Sequence, residues 1–175
     1  MAIDVRKILS GELSKLEISH SFSLADGRFP FDTEVDGVVF SKSAVITGEI
    51  VNMGGYISLD AVVSVQYDAQ CARCLQCLSR SFETPLTGTV VRKGDLVNTA
   101  EEDADDYLEA VDGMLDIELA AAEQLMLEFP VRELCDEDCK GLCPKCGHDL
   151  NEGDCGCVKK EIDPRLAILQ KLLEK

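Results

Sequence analysis

The chain has 175 residues, enough for one full domain with a small appended module or for two small domains. Its 46% apolar and 29% charged residues exclude a disordered chain. A formal charge of −16 argues against a generic grip on nucleic acid, since sequence-independent affinity for phosphate backbones comes from Lys and Arg displacing counterions.

The opening MAIDVRKILSGELSKLEIS has no apolar run suited to a secretory signal, and no stretch approaches the roughly 18 apolar residues of a membrane span. The expected address is the cytoplasm, where thiols stay reduced. The first half then reads as strands. Leu16, Ile18, His20, Phe22 and Leu24 recur at every second position, which predicts a half-buried strand. His20 lies on its apolar side, the place of a hydrogen-bonded core histidine rather than a base. Val45 to Met53 predicts another strand, and Asn52-Met53-Gly54-Gly55 supplies turn residues for a hairpin. The strongest alternation is YISLDAVVSVQYDAQC, from Ile57 to Ala69, and Ser81 to Phe82 and Leu86 to Arg92 continue the sheet. The fold class expected is α+β. It comprises a curled antiparallel sheet or partly open barrel of five to six strands over residues 1–93, packed by a helix.

From Gly94 to Val131 there is no Lys or Arg, while twelve acidic residues fall there. Residues 94–112 read as an acidic loop: either a solvated linker or a docking strip for a basic partner. Met114, Ile117, Ala121, Leu125 and Phe129 form an apolar stripe at helical spacing within residues 113–130, closed by Pro130. Residues 131–175 form a cysteine-rich module and a terminal helix. That helix, DPRLAILQKLLEK, has Asp163 as N-cap, Pro164 at its first position, and Leu166, Leu169 and Leu172 or Leu173 on its buried face.

The nine cysteines are an odd number, a poor fit to a disulfide framework. Five crowd into CKGLCPKCGHDLNEGDCGC. Cys143 and Cys146 flank a tight Pro-Lys turn closed by Gly147, the shape of a zinc knuckle. Two thiolates do not saturate a tetrahedral ion. Cys135 and Cys139 before the knuckle, and Cys155 and Cys157 after it, compete for the remaining places, or two metals share them. His148 follows the knuckle and is expected to point outward. An all-sulfur site suits structural zinc better than magnesium or calcium, and metal binding would supply the folding energy of a segment that has almost no apolar residues.

Cys71, Cys74 and Cys77 stand apart in QCARCLQCLSR. A redox C-x-x-C prefers a helix N-terminus after a βαβ unit, and here it ends an antiparallel strand. A second metal site, lacking visible further ligands, and a set of small half-buried thiols are the other readings. No phosphate loop, dinucleotide fingerprint or nucleophile elbow is present, and two histidines give little support to a catalytic set. The expectation is a protein that is not an enzyme. The alternative is a thiol- or metal-handling protein, by C-x-x-C redox chemistry or zinc transfer.

The C-A-R-C-L at Cys71 to Leu75, the helix ending EQLMLEFP, the CKGLCPKCGHDLNEGDCGC string and the closing DPRLAILQKLL together resemble the YceD family, the large ribosomal RNA subunit accumulation proteins. The resemblance covers most of the chain and points to a cysteine-rich branch. It implies a cytoplasmic bacterial or plastid factor that supports accumulation of 23S rRNA and ribosome assembly. The expected partners are a large-subunit assembly intermediate or rRNA or, from the split between an acidic body and a basic C-terminus, a basic ribosomal protein, with no membrane and no small-molecule substrate. Lys159, Lys160 and Arg165, in a basic C-terminus beside the cysteine segment, are candidates for an RNA or partner contact.

Overall fold

The computed structural model describes residues 2–24, 37–40, 42–95, 107–130 and 132–157. In chain order these form β1 (Ile3–Asp4), α1 (Arg6–Leu9), β2 (Lys15–Phe22), β3 (Val39–Phe40), β4 (Ala44–Met53), β5 (Tyr56–Gln70), β6 (Cys77–Arg92), β7 (Tyr107–Ala110), β8 (Met114–Leu115) and α2 (Ile117–Glu128). The architecture is the expected one: a largely antiparallel sheet covered by a helix, with the cysteines gathered at one end. The main sheet runs β2-β4-β5-β6-β7, with β3 pairing to β5 beyond the end of β4.

Period-two patterning builds this sheet. Along β5 the burial alternates from Ile57 to Ala69, placing Leu59, Ala61, Val63, Val65 and Tyr67 inward and Asp60, Gln66 and Asp68 toward water. The β4–β5 hairpin closes with Met53 opposite Tyr56 through Gly54 and Gly55, both at positive φ, as a tight two-residue turn requires. The two segments expected between Ser81 and Arg92 are one strand of 16 residues, β6, that pairs with β5 from Ser58–Thr89 to Gln70–Cys77.

Two expected boundaries shift. Within residues 94–112, expected as an acidic loop, Tyr107–Ala110 forms β7 and adds to β6 in parallel. Leu108 packs against the core and Ala110 is buried in it, so two inward side chains suffice to seat a short strand in an acidic stretch. The helix starts later than residue 113, because Met114 and Leu115 pair with β1. Asp116 caps α2, its Oδ1 accepting the Leu119 N–H at 3.2 Å. Ile117, Ala121 and Leu125 are fully buried on the sheet, and Phe129 seats edge-on among Phe40, Tyr67 and Phe82 at centroid distances of 5.4, 4.9 and 5.6 Å. His20 lies half-buried with Nε2 at 2.6 Å from Oε1 of the buried Glu118, a pairing that ties β2 to α2. The terminal helix expected from Asp163, with Lys159, Lys160 and Arg165, lies outside the described residues.

Candidate metal centres

The loop joining β5 to β6 is Cys71-Ala72-Arg73-Cys74-Leu75-Gln76. The Cys71 N–H donates to the Gln76 carbonyl at 2.9 Å, and the Leu75 N–H donates back to the Cys71 carbonyl at 2.9 Å. Seventy-two residues further on the same two bonds recur. The Cys143 N–H donates to the His148 carbonyl at 2.8 Å, and the Gly147 N–H to the Cys143 carbonyl at 2.8 Å. The residue after the second cysteine is left-handed in both loops, Leu75 at φ 62 and Gly147 at φ 72. The hairpin loop and the CPKCG turn are therefore one knuckle built twice. Glycine adopts that conformation freely; at Leu75 a β-carbon must be held there against its preference.

Each knuckle meets a second pair of thiols. Cys71 and Cys74 are joined by Cys135 and Cys139, and Cys143 and Cys146 by Cys155 and Cys157; within each set the sulfur atoms all lie within 4.8 Å of one another. Across the first set, Cys71 Sγ is 3.9 Å from Cys139 Sγ and Cys74 Sγ is 3.6 Å from Cys135 Sγ. A tetrahedral ion bonded to sulfur at about 2.3 Å spaces its ligands by about 3.8 Å, so the donors stand where such an ion needs them. They are well beyond the ~2.05 Å of a disulfide, and all nine cysteines are free thiols. Cys71, Cys74 and Cys139 are buried, whereas in the second set only Cys143 is, with Cys146 exposed. Cys77 is exposed and belongs to neither set.

Electrostatics favours a cation in both places. Burial pushes the Cys71 thiol up, but the backbone N–H groups of Cys74, Cys135 and Arg73 outweigh it and lower the thiol to about 6. The N–H groups of Cys146 and Lys145 bring Cys143 to about 6 as well. Their companions move the other way. Cys135, beside Cys139 and desolvated, is pushed up to about 12, and Cys157, beside Cys146 and Cys155, to about 12. Four thiolates this close repel one another, and a bound dication offsets that repulsion. Asn151 Nδ2 donates to Cys139 Sγ at 3.3 Å, adding an outer-shell contact that orients the ligand.

The two sets are joined through Arg73. Its Nη1 donates to the carbonyls of Glu137 and Cys139 at 2.9 and 2.8 Å, and its own carbonyl accepts the Leu142 N–H at 3.0 Å. Gly141 fits against this junction, where an added β-carbon would stand 2.8 Å from the Arg73 carbonyl oxygen. Thus the six C-terminal thiols do not share one site: Cys135 and Cys139 turn back to Cys71 and Cys74. The sequence concealed this because Leu75 occupies the position where a knuckle usually shows glycine, and because 61 residues separate Cys74 from Cys135. His148 contributes its backbone carbonyl to the knuckle, and its side chain is in neither set. A redox pairing of Cys71 with Cys74 has no helix N-terminus behind it, since β6 follows directly.

Comparison with known proteins places the chain in a family. The family model of the large ribosomal RNA subunit accumulation protein YceD matches residues 59–173, well over half of the chain and spanning all nine cysteines. The uncharacterized protein Rv2926c of Mycobacterium tuberculosis is 33% identical over 104 residues, covering 59% of this chain and 49% of that protein. The uncharacterized protein YlbN of Bacillus subtilis is 30% identical over 123 residues, 68% of this chain and 67% of that protein. A chloroplastic protein of Arabidopsis thaliana, named large ribosomal RNA subunit accumulation protein YCED homolog 1, is 26% identical over 155 residues, 74% of this chain and 48% of that protein. The chain spans about half the length of the first of these relatives. No solved structure matches. Both knuckles, strands β6 and β7 and most of β5 fall inside one continuous family match, and the chain belongs to the YceD family.

Proposed function

We propose that this chain is a non-catalytic cytoplasmic factor that supports accumulation of large-subunit (23S) rRNA during ribosome assembly, with zinc held as a structural ion in each four-thiol set. The observation that carries the reading is the duplicated knuckle, with four sulfur donors in each set, inside a family match of that name. An all-sulfur tetrahedral donor set suits zinc, and four protein ligands leave the ion no position for a reacting water. Cys71, Cys74, Cys135 and Cys139 hold one ion, and Cys143, Cys146, Cys155 and Cys157 the other. The ion supplies fixed geometry to chain segments that lack a core of their own.

The partner that suits this body is a basic ribosomal protein or an assembly intermediate that presents one. Eight thiolates and two dications take the formal charge from −16 to ~−20. On the solvated face of the sheet Glu17, Glu49 and Asp60 lie side by side across β2, β4 and β5, with Lys15 paired to Glu49 at 2.5 Å. Like charges directly opposite one another destabilise a sheet, and a basic partner would relieve the row.

The test is the ratio of 23S to 16S rRNA in cells lacking their own copy of the gene. The ratio falls on deletion and returns with the wild-type chain, but not with a Cys74→Ser/Cys146→Ser variant. A deletion strain with an unchanged ratio would overturn the proposal.

A further inference from the structure

Away from the cysteines, at the other end of β6, a cleft of about 530 Å³ opens between α1, the end of β6 and the β7–β8 turn. Its charged lining is Arg6, Arg92 and Lys93, with Asp112 as the acid. In a chain with 33 acidic and 17 basic residues, three cations around one concavity is a local reversal of sign. The two guanidinium groups are also fixed in place. Arg6 Nε and Nη2 donate to the Asp4 carboxylate at 2.9 and 2.6 Å, and Arg92 Nη2 donates to the Leu9 carbonyl at 2.9 Å. The stem of Arg6 lies over Gly113, where an added β-carbon would stand 2.1 Å from Arg6 Cγ. Gly113 is itself left-handed, at φ 75, so the turn both requires glycine and makes room for the arginine.

A guanidinium carries five N–H donors, and the bonds just described occupy two on Arg6 and one on Arg92. The remaining donors, with the Lys93 ammonium, match the tetrahedral oxygens of a phosphate group, which planar guanidinium recognises in paired fashion. Because the two arginine side chains are already anchored, they have little rotamer freedom to lose on binding. The cleft is of the size of small-ligand sites and too small for a long backbone tract. A tract would in any case meet the repulsion of the acidic body.

We infer that the Arg6–Arg92–Lys93 cleft is a binding site for a single phosphate group, presented by an RNA backbone or by a free nucleotide. The RNA source rests on the proposed role in rRNA accumulation; the site itself does not. Among the described residues it gives the acidic chain one defined point of contact with a phosphate.

The test uses the full-length, zinc-loaded chain with two probes: a fluorescein-labelled 12-nucleotide single-stranded RNA followed by anisotropy, and adenosine 5′-monophosphate followed by calorimetry. Three variants accompany the wild type. Arg92→Gln/Lys93→Gln removes two cleft charges, Gly113→Ala displaces Arg6 with no change in charge, and Lys42→Gln/Lys140→Gln removes two exposed charges elsewhere. Arg92→Gln/Lys93→Gln is expected to weaken binding about tenfold and to flatten the salt dependence by roughly one unit of slope, and Lys42→Gln/Lys140→Gln to leave both near wild type. Gly113→Ala, with its full charge, should weaken binding too, which generic attraction does not explain. Loss with the RNA probe assigns the phosphate to RNA, and loss with the mononucleotide alone assigns it to a free nucleotide. Binding of neither probe by the wild type, or equal loss in the two double variants, overturns the site. The readings come from purified protein, so they stand whether or not deletion of the gene alters 23S rRNA.

Discussion

Replacing Cys74 with serine is expected to separate the two candidate metal centres by their effect on the whole molecule. Serine keeps the size of the side chain and removes the thiolate, so metal content should fall from two equivalents to one. The first centre links Cys74 to Cys135 across 61 residues of chain, and Cys71 to Cys139 across 68. Treated as a cross-link on the unfolded chain, closure of a loop of that length contributes about 4 kcal/mol. The second centre closes a loop of roughly a dozen residues, contributing about 3 kcal/mol, and that loop lies outside every strand of the sheet. For a chain of this size each kcal/mol moves the midpoint by about 2–4 °C. Thermal unfolding followed by the far-ultraviolet circular dichroism of the sheet should therefore drop by roughly 8–16 °C in Cys74→Ser. In Cys146→Ser one equivalent of metal is also lost, while the sheet transition stays near that of the wild type. Equal drops in both variants, or two equivalents of metal retained in Cys74→Ser, would refute the assignment of the first centre as the long-range clamp.

Other substitutions probe the joints. Leu75→Gly should raise stability by about 0.5–1 kcal/mol, since it relieves a left-handed leucine that is itself 57% exposed; a lower melting temperature would contradict the strain argument. Gly141→Ala forces a β-carbon against the Arg73 carbonyl in a left-handed conformation and should cost about 2 kcal/mol, read as a shifted urea midpoint with metal saturating. Phe129→Ala removes the ring on which Phe40, Tyr67 and Phe82 converge and should cost about 3 kcal/mol in the same measurement; a loss below 1 kcal/mol would mean that the cluster contributes little.

What could be read from the sequence was set by how local the signal is. The alternation along β2 and β5, the Gly-Gly turn and the Ile117, Ala121 and Leu125 part of the stripe are local signals, and each appears in the structure, whereas Met114 falls in β8 and Phe129 just past α2. Strand β7 was hidden because only Leu108 and Ala110 of its four residues carry the pattern, surrounded by carboxylates. The CPKCG knuckle announces itself through Gly147, while its twin in the hairpin loop carries Leu75 and passes for an ordinary strand end. Partnership between thiols is a property of topology. Pairing of β5 with β6 and the return of the chain after α2 bring Cys71 and Cys74 to Cys135 and Cys139, and no spacing rule reports that.

The order in which the chain is made gives the first centre a timetable. Strands β2 to β6 and the loop bearing Cys71 and Cys74 emerge from the ribosome before the chain reaches Cys135, 61 residues beyond Cys74. At ordinary synthesis speeds of about 5–20 residues per second, the paired thiols wait roughly 3–12 s for their partners. The second centre waits about a second or two, because its ligands follow closely. With metal bound as proposed, the clamp that ties the module to the sheet would begin as half a site on a nascent hairpin, its knuckle held by two backbone hydrogen bonds of its own and by the β5–β6 pairing beside it.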